Sequence, residues 1–300
     1  MIFAKTNRPN DRRVRKRSDQ QQEDQALNSM ARRMFELVEP IGLIPYSAGE
    51  PNEAMFALGF TNYWDTYFAG RAAPLGRVPA EVVDALFYNF APGEVARHIP
   101  KVWETTTPEA AIAARQMGCA KALRRSLADQ IDSPALARAA EMLLDAATSA
   151  PLEGRPMYAA LRSIPIPDGD AVARLFHAAC MLREHRGDGH IAALMIEGVG
   201  GLEAHVLCAF DMGMRPEKFG RIHHLPPAQL AAVIDGMRER NLIGDDGWLS
   251  ETGRLTKQRV EALTDDLAAK PYEILEPDEL DELMSTLELL SPLLLADQDS

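Results

Sequence analysis

Cysteine is scarce in this sequence. Cys119, Cys180 and Cys208 are the three thiols in 300 residues, and they lie far apart. That number and spacing exclude a disulfide framework and a paired-cysteine zinc ribbon. Long apolar runs are missing too. The longest, Leu287 to Ala296, is broken by Ser291 and Pro292 and is too short to cross a bilayer. The opening residues hold no apolar segment of the secretory kind, which predicts a cytoplasmic protein in a reducing compartment, with no membrane partner. Phosphate-cradling and dinucleotide glycine loops are absent, as is the His-Glu-x-x-His metal pair. Gly198-Val-Gly-Gly201 has neither the spacing nor the preceding strand. No cofactor and no metal are therefore expected. His185, His190 and His205 with Asp188 could ligate zinc by residue type, but not by spacing.

Basic charge is in deficit: 32 Lys and Arg face 44 Asp and Glu, a net charge of -12. The imbalance is uneven. Residues 1–18 hold seven Lys or Arg against Asp11, so the other 282 carry -18. Residues 1–29 read as a basic, disordered tail, because they offer few apolar groups to bury. The rest has the composition of a globular protein, 46 % hydrophobic and 25 % charged.

Helical periodicity dominates from Met30 onward, as in Met34-Leu37-Val38, Leu136-Ala139-Ala140-Leu143 and Val172-Leu175-Phe176-Ala179-Leu182. Strand signals are confined to Val102-Trp103 and Gly247 to Ser250. Prolines, glycines and Asp168 at 151–169 mark a linker. This divides the chain into units 30–150 and 170–300. Their landmarks recur in order. Arg33-Met-Phe-Glu36 resembles Arg174-Leu-Phe-His177, Gly59–Phe68 matches Gly198–Leu207 in apolar pattern, and Pro79–Phe87 resembles Pro227–Asp235. Each unit then has a Trp-bearing stretch (Trp103, Trp248), a helix start (Thr107-Pro108, Ser250-Glu251) and a last helix (from Ser133-Pro134 and Glu276-Pro277). Landmarks recurring in one order predict an internal duplication.

The run Ala231–Ile243 reads as a helix ending in a short strand. Asp245–Ser250 reads as a tight hairpin, and Glu251–Leu263 opens a long helix. This succession resembles the recognition helix, wing and dimerisation helix of MarR-type winged-helix regulators. The whole chain, over about 30–296, resembles an actinobacterial helix-turn-helix family to which no activity is assigned. That resemblance is carried by Tyr67–Gly76, Leu182–His190 and Gly201–Leu207. The expected fold is mainly α with small β-wings: tandem duplicated winged-helix-like units forming a pseudo-dimer in one chain. The expected assembly is a monomer or a weak homodimer.

A DNA-binding version of this fold needs cations on phosphates and polar groups on base edges. The second unit offers Gln229, Arg238 and Arg240, but also Asp235, Glu239, Asp245 and Asp246. In the first unit Glu81, Asp84, Phe87 and Tyr88 suit packing. DNA binding is thus the weaker alternative, favoured mainly by the basic tail. The densest polar cluster is Leu182–His190. At 100° per residue, Arg183 and Arg186 continue the apolar arc of Leu175, Ala179 and Leu182, so both should point inward and need carboxylates or an anionic ligand. Gly187 and Gly189 are expected to break the helix and turn Asp188 and His190 back. The reading is a small-molecule sensor or accessory factor with a polar or anionic ligand between the units. Its candidate contacts are Arg71, Arg183, Glu184, His185, Arg186, Asp188, His190, Glu203 and His205. A structural ion-pair network is the competing account of the same charges. A third reading is an enzyme using a His–Glu pair as general base. The rings at Tyr63, Trp64 and Tyr67 are assigned to core or to a pocket wall.

Overall fold

The computed structural model describes residues 10–218 and 220–298. Of the basic tail, residues 1–9 lie outside the described residues. From Asn10 the chain is helical. Helix α1 (Asn10–Ser47) buries Met34, Leu37, Val38, Ile41 and Ile44, spaced three and four apart along one face. Short helices α2 (Gly49–Phe56), α3 (Tyr63–Ala72), α4 (Ala80–Phe87) and α5 (Val102–Thr105) follow. Then come α6 (Pro108–Leu127), α7 (Pro134–Ser149) and α8 (Pro156–Arg162). The second half holds α9 (Ala171–Ile196), α10 (Gly201–Asp211), α11 (Pro227–Glu239), α12 (Glu251–Ala269) and α13 (Pro277–Gln298).

Helix starts follow their capping residues. The side chains of Thr107, Ser133, Asp170 and Ser250 accept the amide hydrogens of Ala110, Leu136, Ala173 and Gly253, three residues ahead. The central layer is α1, α6, α7, α9 and α13, with one apolar cluster running through Ile41, Leu123, Leu143, Phe176 and Leu287. A satellite core under α3–α6 holds Phe68, Phe87, Phe90 and Trp103. A second, under α10–α12, holds Val206, Leu207, Leu230, Met237 and Val260. α1 packs on α12 and α13, while α9 packs on α6 and α7.

The β-wings are not there. Among the described residues there is no strand, and the expected hairpin reduces to a single antiparallel bridge between Ile243 and Leu249. The loop between them is tight: the Gly244 amide donates to the Trp248 carbonyl at 2.9 Å, and Gly247 takes a φ of 76°. The reason is room. α11 ends at Glu239 and Ser250 already caps α12, while Leu242, Ile243 and Leu249 are drawn into the satellite core instead of a ladder. The strand expected at Val102-Trp103 is the short helix α5. The stretch 151–169 contains α8, whose Tyr158 is buried and donates its hydroxyl to the Ala147 carbonyl at 2.7 Å.

Gly118 of α6 sits against the backbone of α2. A Cβ there would meet Pro51 Cα at 2.6 Å and the Glu50 carbonyl at 2.8 Å. Gly118→Ala gains about 1 kcal/mol of helix propensity. It loses more by overpacking, about 1–3 kcal/mol, at the upper end where the obstacle is backbone. The expected net is a loss, read as a lower urea midpoint with unchanged slope. An unchanged or raised midpoint would show that α2 moves aside freely. Among the described residues, no single helix is long and apolar enough to cross a membrane.

Candidate functional site

A cavity of about 740 Å³ opens between the two halves of the chain, walled by α1, α3, α9, α10 and α12. One wall is aromatic. Tyr46, Tyr63, Trp64 and Tyr67 pack in tilted and T-shaped pairs with centroids 5.2–6.3 Å apart. The facing wall is α9, with Arg183, Glu184, Arg186 and His190, flanked by Arg32 of α1 and Lys257 and Glu261 of α12. The arginines point inward as helical phase requires.

Glu184 is the clamp of the aromatic end. Its Oε2 accepts from Arg71 Nη2 and its Oε1 from Arg183 Nη1, each at 3.3 Å. Burial works against its charge, but Arg71 and Arg183 hold the carboxyl below its ordinary range. Arg183 also donates to Glu39 Oε1 at 3.1 Å. The Arg71 guanidinium lies 4.2 Å above the Phe87 ring and donates to the Tyr67 hydroxyl at 3.2 Å. Burial opposes ionisation of Tyr67, yet Arg71, Arg221 and Arg183 pull it below the usual tyrosine value. Tyr46, just as buried, is pushed up to about 12 by desolvation. Four buried atoms here make no hydrogen bond; Arg183 Nε and Glu39 Oε2 pair with each other at 3.0 Å, which leaves the Tyr46 hydroxyl and Arg71 Nε. Unsatisfied buried polar atoms are rare, and each needs a reason.

The other end is a satisfied ion network. Arg186 donates to Asp265 at 2.7 Å and to Glu261 at 3.2 Å, and Arg32 donates to the same pair at 3.0 and 2.7 Å. Lys257 joins Glu261 at 2.6 Å. Burial alone would raise the Glu261 carboxyl, but Lys257 and Arg32 bring it down to about 2. Arg186 lies 4.3 Å over the Phe35 ring.

Arg71, Arg183, Glu184, Arg186, Asp188 and His190 thus line one cavity. His185, Glu203 and His205 do not line it. His185 is buried on the opposite face of α9, edge-on to Tyr158 at 5.2 Å, with its basicity lowered to about 3 by burial and by Arg155. Glu203 holds the start of α10, accepting from the Gly200 amide at 2.9 Å and from Arg240 at 2.7 Å. His205 is buried in the satellite core, with Nε2 3.0 Å from the Pro216 carbonyl. The helix does not break at Gly187 and Gly189 either. α9 runs on to Ile196, and Gly189 gives way to the Arg155 side chain crossing above it. Asp188 accepts the amide of Tyr158 at 3.0 Å, so it caps α8; burial pushes its carboxyl up to about 6. His190 Nδ1 lies 3.0 Å from Thr264 Oγ1, and burial lowers the ring to about 4.

Sequence reading missed Arg32, Glu39 and Tyr46 on α1, and Lys257 and Glu261 on α12. The signal was present: Arg32, Phe35, Glu39 and Tyr46 form a helical stripe beside the Met34-Leu37-Ile41 face, and Lys257 and Glu261 are four apart. Nothing local tied those stripes to α9.

The residues considered for DNA contact sit on exposed α11 and its end. Gln229 is exposed. Arg238 donates to Asp235 at 2.7 Å, and Arg240 is held by Glu203 and the Gly198 carbonyl at 2.9 Å. Both cations are tied within the chain's own surface. No curated protein and no solved structure matches the chain. A family model described as a helix-turn-helix family matches residues 31–299, nearly the whole sequence, and the all-helical architecture agrees with it. The chain belongs to that helix-turn-helix family.

Proposed function

We propose that this protein binds a small aromatic anion in the cavity between its two halves and acts as a sensor or accessory factor. The observation that carries the reading is the pairing of ring wall and arginine wall around two unpartnered buried atoms, Tyr46 Oη and Arg71 Nε. A carboxylate or phenolate on a flat ring would satisfy both atoms, stack on Tyr67 and Trp64, and add negative charge where Arg71 and Arg183 share one carboxylate. The volume, about 740 Å³, is in the range of small-ligand sites. The expected duplication would place such a pocket at the junction of its two units, each with its own satellite core.

Thermal melts with benzoate and 4-hydroxybenzoate, against cyclohexanecarboxylate and aniline, test this. An acid at one hundred times its Kd adds about 2.7 kcal/mol of stability. Tyr46→Phe is expected to leave the free protein unchanged or slightly more stable, since it deletes an unsatisfied hydroxyl. It should also weaken the aromatic acid several-fold. Equal responses to all four compounds, or none, would reject the aromatic-anion reading.

Helix-turn-helix membership supports a second reading, a DNA-binding regulator. Arg238 and Arg240 are already engaged, and Asp245 and Asp246 occupy the turn, so we expect weak, sequence-blind binding. Gel shifts with and without residues 1–18 check it. Tight, specific binding by the truncated chain would make DNA the primary partner.

A further inference from the structure

The loop after α4 and the loop before α11 come together at the rim of the cavity, which Asn89 and Arg221 help to line. The backbone joins them first: the Ala91 amide donates to the Arg221 carbonyl at 3.3 Å, and Arg221 donates to Asn89 Oδ1 at 2.8 Å. Between them sits Glu94, whose side chain is 1 % exposed. A carboxylate buried that deeply needs cationic or donor partners. Arg97 Nε lies 3.5 Å from its Oε2, on a side chain 55 % exposed. Three imidazoles also approach the carboxylate. His224 Nδ1 lies 2.7 Å from Oε2, His223 Nε2 3.7 Å from Oε1, and His98 Nε2 3.4 Å from Oε1.

We propose that Glu94, His223 and His224 form a binding site for a divalent transition cation of the Zn²⁺ class, with His98 and Asp65 supporting it from behind. One ligand atom from each of the three lies within 4.8 Å of the other two. Bonds of about 2.0–2.2 Å to imidazole nitrogen and carboxylate oxygen need ligand atoms in that neighbourhood, and two His with one carboxylate suit a borderline cation. The rings are held from outside. Trp64 stacks on His223 with centroids 5.2 Å apart and planes 13° off parallel, and Phe68 stacks on His98 at 4.5 Å.

His98 lies behind the carboxylate: its Nδ1 is 2.6 Å from Asp65 Oδ1 and its Nε2 3.4 Å from Glu94 Oε1, so the ring bridges the two acids. A carboxylate orienting a histidine next to a metal-ligating group is the usual supporting arrangement of such sites.

The test uses the full chain, free of any tag and stripped with chelator, titrated with Co²⁺ at neutral pH. The expected result is one equivalent bound with a visible ligand-field band that Zn²⁺ displaces, and a rise in melting temperature with either ion. His223→Ala/His224→Ala should abolish band and rise; these side chains are 36 % and 43 % exposed, and circular dichroism of the metal-free variant checks that it is folded. Glu94→Gln should weaken Co²⁺ at least tenfold, about 1.4 kcal/mol. Absence of the band in the parent protein overturns the proposal. A band undiminished in the double variant overturns it too.

Discussion

Glu184→Ala is expected to lower stability by about 3–5 kcal/mol, the effect of removing one partner from a buried charged pair. The mechanism is specific. Glu184 accepts from both Arg71 and Arg183, and without it two guanidinium groups share a cavity wall with no carboxylate between them. Arg71 suffers more, because the contacts it keeps are the neutral Tyr67 hydroxyl and the Phe87 ring. Arg183 keeps Glu39. Arg183→Ala should therefore lose less, since Glu184 remains bound to Arg71. Arg71→Ala/Glu184→Ala should recover part of the loss of Glu184→Ala, because the stranded cation goes with its partner. Urea unfolding of the three variants decides. If Glu184→Ala falls within 1 kcal/mol of the parent, the pocket carboxylate is not the clamp described above. A bound aromatic acid should partly rescue Glu184→Ala by supplying the missing negative charge. A merely structural network would show no such rescue.

Acid should destabilise the protein well above the carboxylate range. Burial lowers His177 to about 4, with Arg162 and Arg115 adding to it, and lowers His185 to about 3 and His190 to about 4. Each stays neutral in the folded chain while its unfolded counterpart protonates near pH 6.5. Their contribution is complete above that pH and is lost as pH falls from 6.5 toward 4. Asp188 has the opposite sign. Its folded value, raised to about 6, exceeds the unfolded one, so it contributes stability at low pH that disappears as pH rises through 6. At pH 5 the unfolded chain holds about three more protons on the histidines and about one fewer on the aspartate. The net uptake of about two protons gives a slope near 2.7 kcal/mol per pH unit and a loss of up to about 4 kcal/mol between pH 7 and 5. Urea midpoints across that range measure it, and His185→Leu should remove about one proton from the slope. A midpoint flat between pH 7 and 5 would mean these rings are hydrated in solution.

Much of the helical frame was legible along the chain. Thr107, Ser133, Asp170 and Ser250 stand where helices begin, and the three- and four-residue spacing of Met34, Leu37 and Ile41, or of Leu175, Ala179 and Leu182, marks the buried faces. Helical phase alone turned Arg183 and Arg186 inward, because periodicity is a local property and the apolar arc they extend is contained in one helix. The length and composition of the chain, and the helix-turn-helix likeness, were in the same order of information. The hairpin signal at Asp245-Asp-Gly247 was real as a turn but misleading as a wing. A turn is set by its own residues, whereas a strand needs a partner, and the core took Leu242, Ile243 and Leu249 first. The tertiary structure alone decided which carboxylates meet the arginines. Glu39 lies 144 residues from Arg183, and Asp265 lies 79 from Arg186. It also sent Glu203 and His205 to other tasks and gathered Glu94, His98, His223 and His224 at one point. Pairing across such distances follows from how whole helices pack, and no spacing within a single segment encodes it.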